Sequence, residues 1–76
     1  MVVVDERVSV NLLNSQPTGF VWRNRRYAVT QVGLHHTLRQ GRTLMHVFSV
    51  TDGSTCFTLQ FDTESLKWKL CSIQDQ

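Results

Sequence analysis

Apolar and polar residues alternate along most of this chain with a period of two, the repeat of a strand rather than a helix. Val2, Val4, Val8, Val10 and Leu12 alternate with polar neighbours, and only Glu6 interrupts the series. Val, Ile, Thr, Phe, Trp and Tyr dominate the later segments, and their branched or planar side chains suit a pleated surface. Turn formers recur every 8–12 residues or so, as in an antiparallel meander. The pattern predicts an all-β chain: one domain over residues 1–76, a single small antiparallel meander of five to six strands, curled into a partly open barrel. Its only proline lies in Asn14-Ser15-Gln16-Pro17-Thr18-Gly19, which reads as a loop between residues 2–13 and the rest.

Turn chemistry predicts registers. Asp52-Gly53 reads as a two-residue hairpin pairing Thr51 with Ser54, Phe48 with Phe57, His46 with Leu59 and Leu44 with Phe61. A loop over Asp62-Thr63-Glu64-Ser65 pairs Phe61 with Leu66, Leu59 with Trp68, Phe57 with Leu70 and Cys56 with Cys71. Both hairpins put Phe57, Leu59 and Phe61 on one face; Met45, Val47, Thr58, Gln60, Lys67 and Lys69 occupy the other, half-wet face.

Upstream, Arg39-Gln40-Gly41 reads as a three-residue loop pairing Leu38 with Arg42, His36 with Leu44 and Leu34 with His46, which brings Val32 and Leu34 to the buried face. A helical turn over residues 34–40 capped by Gly41 is the competing reading. Asn24-Arg25 closes a hairpin that pairs Trp22 with Tyr27 and Phe20 with Val29. Val29 and Val32 are out of phase, so a bulge or bend must lie between them, and such bends let a short sheet curl.

Charge adds a feature that the pattern hides. Six arginines and all three histidines lie between Arg7 and Thr51, a stretch with no aspartate or glutamate, so a formal net charge of +2 conceals a basic middle. Such a field draws polyanions or acidic protein surfaces. An apolar share of 41% is below the usual range and leaves a small core. No run of about 18 apolar residues exists to span a membrane, and the start lacks the pattern of a signal peptide. A cytoplasmic location with reduced Cys56 and Cys71 is the expectation.

Candidate chemistry is sparse. Arg23, Arg25 and Arg26 sit at a hairpin tip beside Trp22 and Tyr27, with Arg39 and Arg42 at another hairpin end. Guanidinium groups pair bidentately with phosphates, and exposed rings stack on unpaired bases. Against this stands the reading that tip arginines keep a small domain soluble while Trp22 and Tyr27 belong to the core. His36 and His46 share a face in this register and His35 points away. Two imidazoles without a thiol or carboxylate fall short of a zinc site, so no metal or other cofactor is expected. Cys56 opposite Cys71 allows either two thiols or a redox-responsive cystine. Glycine-rich phosphate loops, H-E-x-x-H and nucleophile elbows are absent, and the chain does not read as an enzyme.

The stretch Phe20-Val21-Trp22-Arg23-Asn24-Arg25-Arg26-Tyr27-Ala28-Val29, preceded by Pro17-Thr18-Gly19, resembles the F-x-W-R-x-R-x-Y-x-V opening of a family of small uncharacterised bacterial domains. Members of that family are often encoded beside error-prone DNA repair polymerase subunits. The likeness covers residues 17–34; further on, His35-His36-Thr37 stands where the family shows tryptophans. It implies an accessory role in DNA transactions and carries over no ligand residues. Two expectations result: a non-catalytic nucleic-acid-binding module using the five arginines with Trp22 and Tyr27, or a protein-interaction or homodimerising module pairing through edge strands, either residues 2–13 or the last strand.

Overall fold

In the computed structural model, which describes residues 1–75, seven strands form one antiparallel sheet. They are β1 (Val2–Leu13), β2 (Gln16–Trp22), β3 (Arg25–Ala28), β4 (Gln31–Gln40), β5 (Thr43–Thr51), β6 (Thr55–Asp62) and β7 (Lys67–Asp75). The all-β class is as the alternation predicts, with one strand more than the upper expectation and no helix among the described residues. Residues 34–40 are strand, not a helical turn.

The spatial order is β3-β2-β1-β7-β6-β5-β4. All six pairings are antiparallel, so β3 and β4 run in the same direction, with only Val29 and Thr30 between them. They form one long strand with a corner. Before the corner, Val29 N–H donates to the Thr18 carbonyl on the β2 side (3.0 Å); after it, Thr30 N–H donates to the Thr51 carbonyl of β5 (2.8 Å). β1 is divided likewise, with Val2–Val8 against β7 and Ser9–Leu13 against β2. Strands that change partners at a bend fold a sheet over on itself. The bend foreseen between Val29 and Val32 therefore exists, and because the two end strands of the order, β3 and β4, do not pair with each other, the barrel stays open.

Apolar side chains of the folded sheet meet inside. Phe20 stacks on Tyr27 at 5.0 Å between ring centroids and meets Phe57 edge-on at 5.0 Å, joining the β2–β3 arm to β6. Phe20 and Phe57 form the core with Phe48, Val50, Leu59 and Leu70, and Trp22, Tyr27, Val32, Trp68 and Ile73 pack against it. Gly19 permits the close pairing of β2 and β3, because a Cβ there would lie 3.0 Å from the Tyr27 carbonyl oxygen.

Several registers differ from expectation. Val50 pairs with Phe57 and Phe48 with Leu59, two places from the predicted β5–β6 register. The Asp52 carboxylate accepts from the N–H groups of Ser54 and Thr55, which widens the turn. The β6–β7 hairpin is also shifted by two, so Phe61 pairs with Trp68 and Leu59 with Leu70. Here Asp62 accepts from the N–H groups of Glu64 and Ser65, and Leu66 adopts a left-handed conformation. A shift of two preserves faces. The β2–β3 turn is Arg23-Asn24, both with positive φ, so Phe20 pairs with Tyr27.

β4 departs further. Its turn is Gly41-Arg42, which moves the pairing by three and reverses the faces of residues 34–40. His35 joins the inner face and His36 the outer, the opposite of the predicted pair, and Leu34 is exposed rather than buried. A register shift at Gly33 returns Val32 to the expected inner face, opposite Val50 rather than Phe48. The predicted loop at residues 14–19 is a two-residue turn, Asn14-Ser15, after which β2 begins and Pro17 is buried. On the outer face Met45 and Val47 are buried rather than half wet, and the Gln60 amide approaches the Met45 sulfur.

Candidate binding surface

The arginines come from both ends of the bent strand. Arg25 and Arg26 open it and Arg39 nearly closes it, with Arg42 in the turn beyond. Arg23 is not free: its Nε donates to Glu6 Oε1 at 3.1 Å, Nη2 donates to Oε2, and its guanidinium lies over the Trp22 ring. Arg23 holds the Glu6 carboxyl below the usual carboxylate range, and the Trp22 indole N–H, which also donates to it, adds to the effect. Tyr27 is stacked on Phe20, with Arg25 at 6.0 Å from its ring. Of the five arginines, Arg23 is thus held by Glu6 and Trp22, and the Trp22 and Tyr27 rings are partly buried against the core.

The edges lie elsewhere than expected. β1 and β7 pair with each other in the middle of the sheet, so neither is an edge; the edges are β3 and β4. β3 has four residues, whereas β4 has ten, and all eight from Gly33 to Gln40 are exposed. No proline or acid interrupts β4, which displays Leu34, His35, His36, Leu38 and Arg39.

Along its inner face, β4 borders a cleft of about 290 Å³ lined by Leu12, Ser15, His35, His46, Phe48, Phe61 and Trp68. His35 stacks on Phe48 with centroids 4.2 Å apart and planes within 8°. Its Nε2 lies 2.9 Å from His46 Nδ1, so one ring donates and the other accepts. Trp68 closes the cleft against Phe48 and Phe61. Among the described residues no three metal-ligating side chains come together.

Cys56 faces Gln74 rather than Cys71, and both cysteines are free thiols. The shifted register separates them. Cys71 lies where β7 slips against both β1 and β6, and burial pushes its thiol above the usual value.

No family model, curated protein or solved structure matches this chain.

Proposed function

We propose that this protein is a non-catalytic binding module that takes up an acidic, extended polypeptide segment along the free edge of β4. The carrying observation is that edge: ten residues long, exposed from Gly33 to Gln40 and free of acids. Native proteins usually guard such edges with prolines, bulges or brevity, because unpaired backbone groups invite another strand. The one irregularity of β4 is at Gly33, and Leu34–Gln40 beyond it pair with β5 without interruption. Charge favours an acidic partner over a second copy. Two antiparallel β4 strands would bring together two copies of a segment that has an arginine and no carboxylate, while an acidic strand would offer Arg39 a carboxylate.

Proline substitution tests the reading. Successive residues of an edge strand direct their backbone groups alternately to the neighbouring strand and to the free side. Of His36→Pro and Thr37→Pro, one therefore breaks the ladder to β5 and the other blocks only the open edge. The variant that stays folded is expected to lose binding to labelled acidic peptides, as followed by fluorescence anisotropy. Retained binding in that variant rejects strand addition.

A second reading rests on Arg25 and Arg26, neighbours at the start of β3 with no acid partner among the described residues. Together with the family likeness, they support a small phosphate contact in a DNA-repair accessory. Phosphate contacts make binding salt-sensitive, with a log–log slope of about −0.7 to −0.9 per contact. Anisotropy with single- and double-stranded DNA and RNA at two salt concentrations tests it; binding that survives Arg25→Ala with Arg26→Ala removes it.

A further inference from the structure

The cleft beside β4 and the edge of β4 form a composite surface, and, resting on the strand-addition reading above, we infer that it selects a sequence: an acidic residue four positions before an aromatic one. The register supplies the spacing. His35, Thr37 and Arg39 project from the inner face of β4, because they pair with Phe48, His46 and Leu44 respectively. A strand added antiparallel to β4 places alternate side chains on that same face. The residue opposite Arg39 comes first, and the residue opposite His35 follows four positions later. Cross-strand neighbours lie about 4.5–5.5 Å apart at Cβ, within reach of an ion pair at one position and a ring contact at the other.

The chemistry of each position follows from what surrounds it. At the Arg39 end a carboxylate meets a guanidinium with no competing acid on β4. At the His35 end the incoming side chain faces an apolar cleft rimmed by His35 and floored by Phe48, Phe61 and Trp68. Its volume of about 290 Å³ falls just below the roughly 300–1,000 Å³ of sites for drug-sized ligands. It is suited to a single side chain. Rings already meet there in stacked and tilted pairs, at 4.2 Å for His35 with Phe48 and 4.9 Å for Phe61 with Trp68, so an aromatic side chain extends the arrangement. Leu12, about half exposed near the end of β1, lines the cleft on the side where the ring would sit. In such binding, backbone hydrogen bonds hold the strand and pockets for alternate side chains choose it.

The test uses the full chain, labelled with ¹⁵N, and synthetic peptides of about ten residues, otherwise rich in threonine and serine. One carries glutamate four positions before phenylalanine; others replace the phenylalanine with alanine, replace the glutamate with lysine, or change the spacing to three. With the first peptide, amide signals of residues 31–40 and the Trp68 indole signal are expected to move together. Alanine in place of phenylalanine should weaken binding about tenfold or more and abolish the Trp68 shift while β4 amides still respond. Lysine for glutamate should also weaken binding, and Arg39→Glu should reverse the preference. If β4 responds equally to all four peptides and Trp68 never moves, the selection rule is overturned while strand addition stands. If no peptide moves β4, both fail.

Discussion

His35 and His46 come from adjacent strands, and their rings share one hydrogen bond, Nε2 to Nδ1 at 2.9 Å. One imidazole must supply a lone pair. Both rings also lie against Phe48, His35 with centroids 4.2 Å apart and His46 at 6.5 Å. A hydrogen bond of this kind contributes about 0.5–1.5 kcal/mol, and each 1 kcal/mol lost lowers the melting temperature of a domain this size by about 4–8 °C. His46→Ala removes the shared bond and part of the packing, and its melting temperature is expected to fall accordingly; an unchanged value would contradict a structural role for the pair.

Loss of stability in acid has a separate origin. Arg23 and then Trp22 hold Glu6 below its ordinary value, and backbone N–H groups do the same for Asp52 and Asp62 in their turns. Lowered carboxylates stabilise the fold above their ordinary range, and that contribution disappears as pH falls through the lowered values. Glu6→Gln should lower the melting temperature at pH 7 and make little difference at pH 2. The same variant frees Arg23, so any DNA binding at low salt should strengthen in it.

Phe20 carries the junction between the β2–β3 arm and β6, and it is 1% exposed. Phe20→Ala should cost about 3–5 kcal/mol, a large part of the stability of a small domain. Leu66→Ser, at a position 70% exposed, should change stability little. Urea melts of the two variants measure the contrast.

Gly19→Ala provides a backbone counterpart. The added Cβ meets the Tyr27 carbonyl oxygen, which the β2–β3 ladder holds in place. A cost of about 1–3 kcal/mol is expected, together with weaker protection of the Tyr27 and Ala28 amides in hydrogen exchange.

Separation of the cysteines predicts that mild oxidant leaves two titratable thiols per monomer. Cys71 should react with a thiol reagent more slowly than Cys56, because burial keeps it protonated. Loss of both thiols without dimer formation would require the two strands to slip into the other register.

Strand identities and most faces could be read from the chain because side chains alternate. Errors of two residues at Asp52-Gly53 and Asp62–Ser65 left Phe57, Leu59 and Phe61 facing inward. An odd error cannot be absorbed in this way. The turn at Gly41-Arg42 exchanged His35 for His36 and so hid the histidine pair and the cleft, and the bulge at Gly33 concealed the error by keeping Val32 inside. Pairing of β1 with β7 joins strands from opposite ends of the sequence, with no turn to announce it, and the edges were misplaced for that reason. The Glu6–Arg23 contact spans 17 residues and was equally hidden. One sign of it was available: Glu6 breaks the apolar alternation of β1, and an acid in that phase needs a partner such as the Trp22 indole.

The corner at Val29-Thr30 has a consequence for how the molecule comes apart. Residues 25–40 are held by β2 on one side of the corner and by β5 on the other. The two edges of the sheet, β3 and β4, are thus consecutive parts of one strand, and neither can peel away without straining the chain that the other holds. Loosening either one pulls on a tether common to both, so the protein is expected to melt in one concerted step. A single peptide cleavage at Thr30 would uncouple the arms and divide that step in two.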